Sequence, residues 1–111
     1  MMVLIHGQEV NGVDIDGQTR CAHYHTRDDI IAIKFRCCKR WFPCLECHVE
    51  TAGHEARVWP VNERDSQAIL CGKCGHQLSI FEYFASSFTC PVCDSKFNPR
   101  CENHYHLYFQ M

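Results

Sequence analysis

Between Arg36 and His54 the chain reads RCCKRWFPCLECHVETAGH, four cysteines and two histidines in nineteen residues, arranged as an adjacent pair, a C-x2-C and an H-x5-H. A tetrahedral zinc ion takes four ligands, so six donors are too many for one site. The remainder of any second site must come from other parts of the chain. This local crowding constrains the fold more than any other feature, because segments that share an ion must meet in space.

The chain has 111 residues, enough for one small domain or two joined modules, and an apolar core of that size leaves little stability to spare. Ten cysteines, about 9 % of the residues, mark either a secreted disulfide scaffold or a metal protein of a reducing compartment. The opening MMVLIHGQEVNG has neither the basic nor the apolar region of a signal peptide, and the next apolar run, IIAIKF, is too short to span a bilayer. The expectation is a cytoplasmic protein with no membrane segment and with thiols kept as metal ligands. A formal charge of −2 provides no global attraction for nucleic acid. The one basic cluster, Lys34, Arg36, Lys39 and Arg40, lacks any accompanying recognition pattern and reads as a solvated rim.

Residues 1–18 alternate apolar and polar side chains around Asn11-Gly12, a dipeptide suited to a type I′ turn, and are expected to form an N-terminal β-hairpin. The run from Asp29 to Phe35 has the β-branched content of a strand that delivers Cys37 and Cys38 at its end. Residues 55–67, polar and without cysteine, look like a connector. Ser79-Ile80-Phe81-Glu82 matches a capping box and predicts a short helix with Phe81, Tyr83 and Phe84. Asn98-Pro99 predicts a second helix through RCENHYHLYF.

Cys71-x2-Cys74 and Cys90-x2-Cys93, two knuckles fifteen residues apart, form the strongest local signal and predict a zinc ribbon. Gly72 and Gly75 suit turns whose backbone N–H groups face thiolates. Two disulfides, or a rubredoxin-like iron site, are the competing readings, and the many nearby histidines favour zinc. Upstream, Cys21, His23, Cys37, Cys38, Cys44, Cys47, His48 and His54 are eight donors, enough for two sites. Spacing alone leaves their partition open, apart from the tendency of adjacent Cys47 and His48 to diverge.

Taken together, C-x-H-Y at 21–24, Cys37-Cys38, C-x2-C-H at 44–48, His54 and the two later knuckles resemble the CHY-type zinc finger over about residues 19–94. The resemblance implies one zinc on Cys21, His23, Cys44 and Cys47, a second on Cys37, Cys38, His48 and His54, and a third on Cys71, Cys74, Cys90 and Cys93. Nine ligand thiolates and three dications would take the formal charge from −2 to about −5. The implied fold is a small metal-stapled α+β domain with short β-hairpins and few short helices. It divides into the hairpin of 1–18, an interleaved two-zinc module with connector over 19–67, and a zinc-ribbon-like module with C-terminal helix over 68–111. Fingers of this type occur ahead of a RING domain in ubiquitin ligases and in short stand-alone proteins, among them a helper of the small Tim chaperones in the mitochondrial intermembrane space, which the resemblance makes the alternative to a cytoplasmic location if the chain is eukaryotic. No RING is present in this chain, so ligase activity does not transfer.

Four protein ligands per ion leave no open position for catalysis, and neither H-E-x-x-H nor a deaminase partner motif for CPVC occurs, so no enzyme activity is expected. Two functions remain: a zinc-stapled surface for a protein partner, or a zinc- or thiol-handling chaperone-like factor that assists assembly of other cysteine-rich proteins. Trp41, Phe42, Trp59, Phe81, Tyr83, Phe84 and Phe97 are expected to form a thin core, and His6, His25, His76 and His106 to lie outside the ligand sets. Cys101 and His104, three apart on the expected last helix, share a face and are candidates for an extra metal site. Cys101 is otherwise the thiol open to alkylation.

Overall fold

The computed structural model describes residues 2–111. Strand β1 (Met2–Ile5) pairs antiparallel with β2 (Gln8–Asn11), and the turn between them is His6-Gly7, both in the left-handed region at φ 49° and 82°. The hairpin is therefore present, but its turn is not Asn11-Gly12. Asn11 is the last residue of β2 and faces Met2. Gly12 serves a different purpose, the close passage of the chain over Cys47 described below.

Strands β3 (Ile31–Lys34), β4 (Trp41–Phe42), β5 (Gln67–Cys71) and β6 (Gln77–Ser79) complete one six-stranded sheet in the order β1-β2-β4-β3-β5-β6. All neighbours are antiparallel except β2 and β4, which meet at Val10 and Trp41. Central β3 is buried on both faces, as its unbroken apolar run requires: Ile31 and Ile33 join the larger core, and Ala32 joins a smaller one with Ile5, Val10, Trp41 and Leu70.

Helix α1 (Leu45–Thr51) starts at Cys44, whose sulfur accepts a bond from the Cys47 N–H, and the Leu45 N–H donates to the Tyr108 hydroxyl at 3.1 Å. Two of the helix's unpaired amides are thus satisfied. Helix α2 (Ile80–Ala85) begins with the expected capping box, Ser79 and Glu82 each bonding the other's backbone N–H at 3.0 Å. Tyr83 is buried and Phe84 partly so, whereas Phe81 is 68 % exposed and does not join the core. The capping box sets where α2 begins, and that phase points Phe81 outward.

Asn98 caps the last helical segment as expected, but Pro99–His104 is a 3-10 helix and only Tyr105–Tyr108 (α3) is α-helical. Both ends are anchored. Asn98 donates to the Asp29 carboxylate at 2.8 Å, and Phe109 bridges Trp59, so the tighter winding fits the segment between two fixed points. The polar connector is pinned there as well: Trp59 is buried, and its indole donates to the Lys34 carbonyl at 2.6 Å. Three of the clustered cations lie over the protein's own rings, Lys34 over Trp41 at 5.5 Å, Lys39 over Trp59 at 4.6 Å and Arg40 over Phe42 at 5.7 Å, while Arg36 pairs with Glu63 at 3.3 Å.

Candidate metal centres

Within α1, Cys47 and His48 are adjacent, about 100° apart around the helix axis, and therefore face different neighbours. Cys47 looks toward Cys44, Cys21 and His23. His48 looks toward the Cys37-Cys38 turn that follows β3 and toward His54 in the loop beyond α1. At the far side of the sheet β5 ends at Cys71, and the Cys74 and Cys90–Cys93 turns close over it. Each set brings four donor atoms within 4.8 Å of one another.

Zinc bonds of about 2.3 Å to sulfur and about 2.0 Å to nitrogen place tetrahedral S···S edges near about 3.8 Å, S···N edges near about 3.5 Å and N···N edges near about 3.3 Å. In the first quartet Cys21 and Cys44 sulfurs are 3.7 Å apart, and His23 Nδ1 lies 3.8, 3.5 and 3.5 Å from Cys21, Cys44 and Cys47. In the second, Cys37 Sγ is 3.3 Å from Nε2 of both His48 and His54, those nitrogens are 3.2 Å apart, and Cys38 Sγ is 3.9 Å from Cys37. In the third, Cys71–Cys93 and Cys74–Cys90 are 3.8 and 3.6 Å apart. These are the edges of a tetrahedral ion site, and far longer than the roughly 2.05 Å of a disulfide. The donor sets fit zinc, and three such groups agree with about three ions per chain.

Backbone donors and second-row contacts differ among the quartets. The Val13 N–H reaches Cys47 Sγ at 3.5 Å, and a Cβ on Gly12 would stand 2.8 Å from that sulfur. His23 turns Nδ1 to the thiols and holds Nε2 against the Glu50 carboxylate at 3.1 Å, an arrangement that fixes ring orientation and raises donor strength. Burial opposes charge on His23, but hydrogen bonding to Cys21 and Glu50 raises its pKa nonetheless. Protons are shared inside the set: hydrogen bonds from Cys44 and Cys47 bring Cys21 down to about 2, and the bond to Cys21 pushes Cys44 up. Burial, then the charges of His54 and Arg40, lower His48, which favours the neutral imidazole a metal needs. In the third quartet, burial raises Cys71, while bonds from Ser95 and Cys90 overcome burial at Cys93 and bring it to about 6.

Neither the contact of Gly12 with Cys47 nor that of Glu50 with His23 follows from the sequence. Gly12 reads as a turn glycine, and nothing in the spacing of Glu50 from His23 signals that they meet. The third quartet also corrects the role of Gly72. Gly75, at φ +83°, serves its knuckle as expected, but Gly72 is where the ribbon abuts residues 18 and 30, its amide donating to Ile30 O at 2.6 Å and leaving no room for a Cβ beside Gln18 O. Among the described residues, Cys101 and His104 belong to no group of three or more metal-binding side chains. Cys101 is half-buried, and burial and then the Asp29 carboxylate push its thiol up to about 11.

The sequence profile of the CHY zinc finger matches residues 21–108. The chain belongs to the CHY zinc finger family. Helper of Tim protein 13 of Saccharomyces cerevisiae is 41 % identical over 104 residues, an alignment covering 91 % of this chain and 90 % of that protein. The protein of the same name in Kluyveromyces lactis is 37 % identical over 101 residues, covering 91 % and 88 %. An uncharacterized Schizosaccharomyces pombe protein is 35 % identical over 101 residues, with the same coverage. No solved structure matches. The family match covers about four-fifths of this chain, and among the described residues no helix is long and apolar enough to cross a membrane.

Proposed function

We propose that the chain is a non-enzymatic assistance factor whose three zinc quartets hold a surface that engages Tim-type proteins, in the mitochondrial intermembrane space. Its ligands are the Cys21, His23, Cys44, Cys47 set, the Cys37, Cys38, His48, His54 set and the Cys71, Cys74, Cys90, Cys93 set. What carries this reading is the end-to-end likeness to a protein named as a helper of Tim, 41 % identical with about nine-tenths of both chains aligned. A shared short module alone would not align so completely. Each quartet is filled by four protein donors, which suits holding the chain rather than catalysis.

Titration calorimetry of the zinc-loaded chain against a purified small Tim protein tests the reading. Saturable binding that disappears on chelation and returns with zinc supports it. An absence of binding by the zinc-loaded form overturns it.

A further inference from the structure

The three quartets are unequal in charge, access and support. The first is charge. Cys37, Cys38, His48 and His54 supply two thiolates and two neutral rings, which only balance a dication, whereas the other sets supply three and four thiolates. The second is access. His54 is exposed, whereas no donor residue of the other two quartets is: Cys21, Cys44, Cys47, Cys71 and Cys90 are at most 2 % exposed, and His23, Cys74 and Cys93 are half-buried. The third is support: His23 is braced by Glu50, but the buried Nδ1 of His48 has no hydrogen-bond partner. On the side away from the quartet, His54 has a backbone partner and no carboxylate, its Nδ1 lying 3.1 Å from Ala52 O in a loop entered through Gly53 at φ +74°.

We propose that this second quartet is the exchangeable zinc site of the molecule, passing its ion to thiol-bearing acceptors while the other two stay loaded and the chain stays folded. The inference rests on the reading of the quartets as zinc sites. His54 is the ligand that leaves first, because its side chain has solvent to move into; His48 stays stacked on Phe35 at 4.4 Å. No electrons move. The two Zn–S and two Zn–N bonds of the quartet would break as four bonds form on the acceptor, each acceptor thiol that binds giving up one proton, two of them to Cys37 and Cys38 and any others to solvent. Lys39 and Arg40, which directly follow Cys38 in the chain, favour approach of an acceptor thiolate and disfavour retention of a dication.

The test adds the chelator pyridylazo resorcinol to the zinc-loaded full chain and follows released zinc by colour, remaining zinc by native mass spectrometry and newly labelled cysteines by iodoacetamide peptide mapping. The expected result is one ion lost at least about tenfold faster than the other two, with labelling of Cys37 and Cys38 in step with it and an unchanged circular dichroism spectrum. His54→Ala should remove that fast phase by yielding a folded two-zinc chain. First labelling of Cys71, Cys74, Cys90 or Cys93, of Cys21, Cys44 or Cys47, or loss of all three ions in one phase with unfolding, would overturn the proposal. No Tim protein is involved, so failure here leaves the partner reading intact, and failure to bind a partner leaves this one intact.

Discussion

Gly12 has space for a hydrogen atom and little else, since a Cβ would lie 2.8 Å from the Cys47 sulfur and 3.1 Å from Pro43. Gly12→Ala must therefore displace a ligand or bend the chain, at a cost of about 1–3 kcal/mol. The expected outcome is a lower melting temperature and loss of one zinc by native mass spectrometry. Glu50 acts on the same quartet from outside. Glu50→Gln keeps its shape but removes the charge behind His23, so zinc affinity there should fall by about 10–100-fold with the fold intact, as read by competition with a chelator. Cys101 shows a pH dependence of known sign. Its thiol is raised from the ordinary 9.0 to about 11, so the folded protein keeps this proton at pH values where the unfolded chain has lost it. Its contribution to stability is complete below about pH 9 and disappears as pH rises toward 11, and alkylation of Cys101 should be slow at pH 8 and accelerate about tenfold per pH unit up to that range. Fast, pH-independent labelling would show the site to be open.

At the scale of elements, α1 couples two quartets because it places one donor in each, and Cys44 at its start adds another to the first. Removing the first site takes away the tie between α1 and the segment around Cys21. Cys21→Ser and Cys47→Ser should therefore each lose the first zinc and loosen the second. Removing the second leaves α1 held by Cys44, Cys47 and the Tyr108 hydroxyl, so Cys37→Ser should cost one ion only. Cys71→Ser should leave the first two quartets loaded, since none of their eight donors lies beyond residue 67. This is the content of the proposed division at 67/68, and loss of all three ions from Cys71→Ser would remove it.

For the molecule as a whole, one sheet joins strands drawn from residues 2 to 79, and the Cα radius of gyration of 12.4 Å is close to the roughly 13 Å of a domain this size. The apolar layers are thin: the smaller core consists of five buried residues. Three ion cross-links supply what so small a core lacks. Complete removal of zinc should abolish the cooperative thermal transition seen by circular dichroism, and readdition should restore it. A sharp transition in the fully metal-free chain would show that burial suffices.

What the sequence determines by itself is local. Donor identity, the C-x2-C turns, the capping box at Ser79 and the apolar run of β3 depend on neighbours within a few residues, so they are legible in order along the chain. Even the divergence of Cys47 and His48 follows from helical geometry once α1 is assumed. Tertiary structure decided the rest. Only the folded chain brings Val13 and Gly12 against Cys47, turns His23 toward Glu50 twenty-seven positions away, and moves the hairpin turn from Asn11-Gly12 to His6-Gly7. It also exposes Phe81 and winds Pro99–His104 more tightly than an α-helix. The physical reason is common to all of these: a contact between distant segments depends on where the sheet and the shared donors bring them, and that position is set by the whole chain at once rather than by any spacing within it.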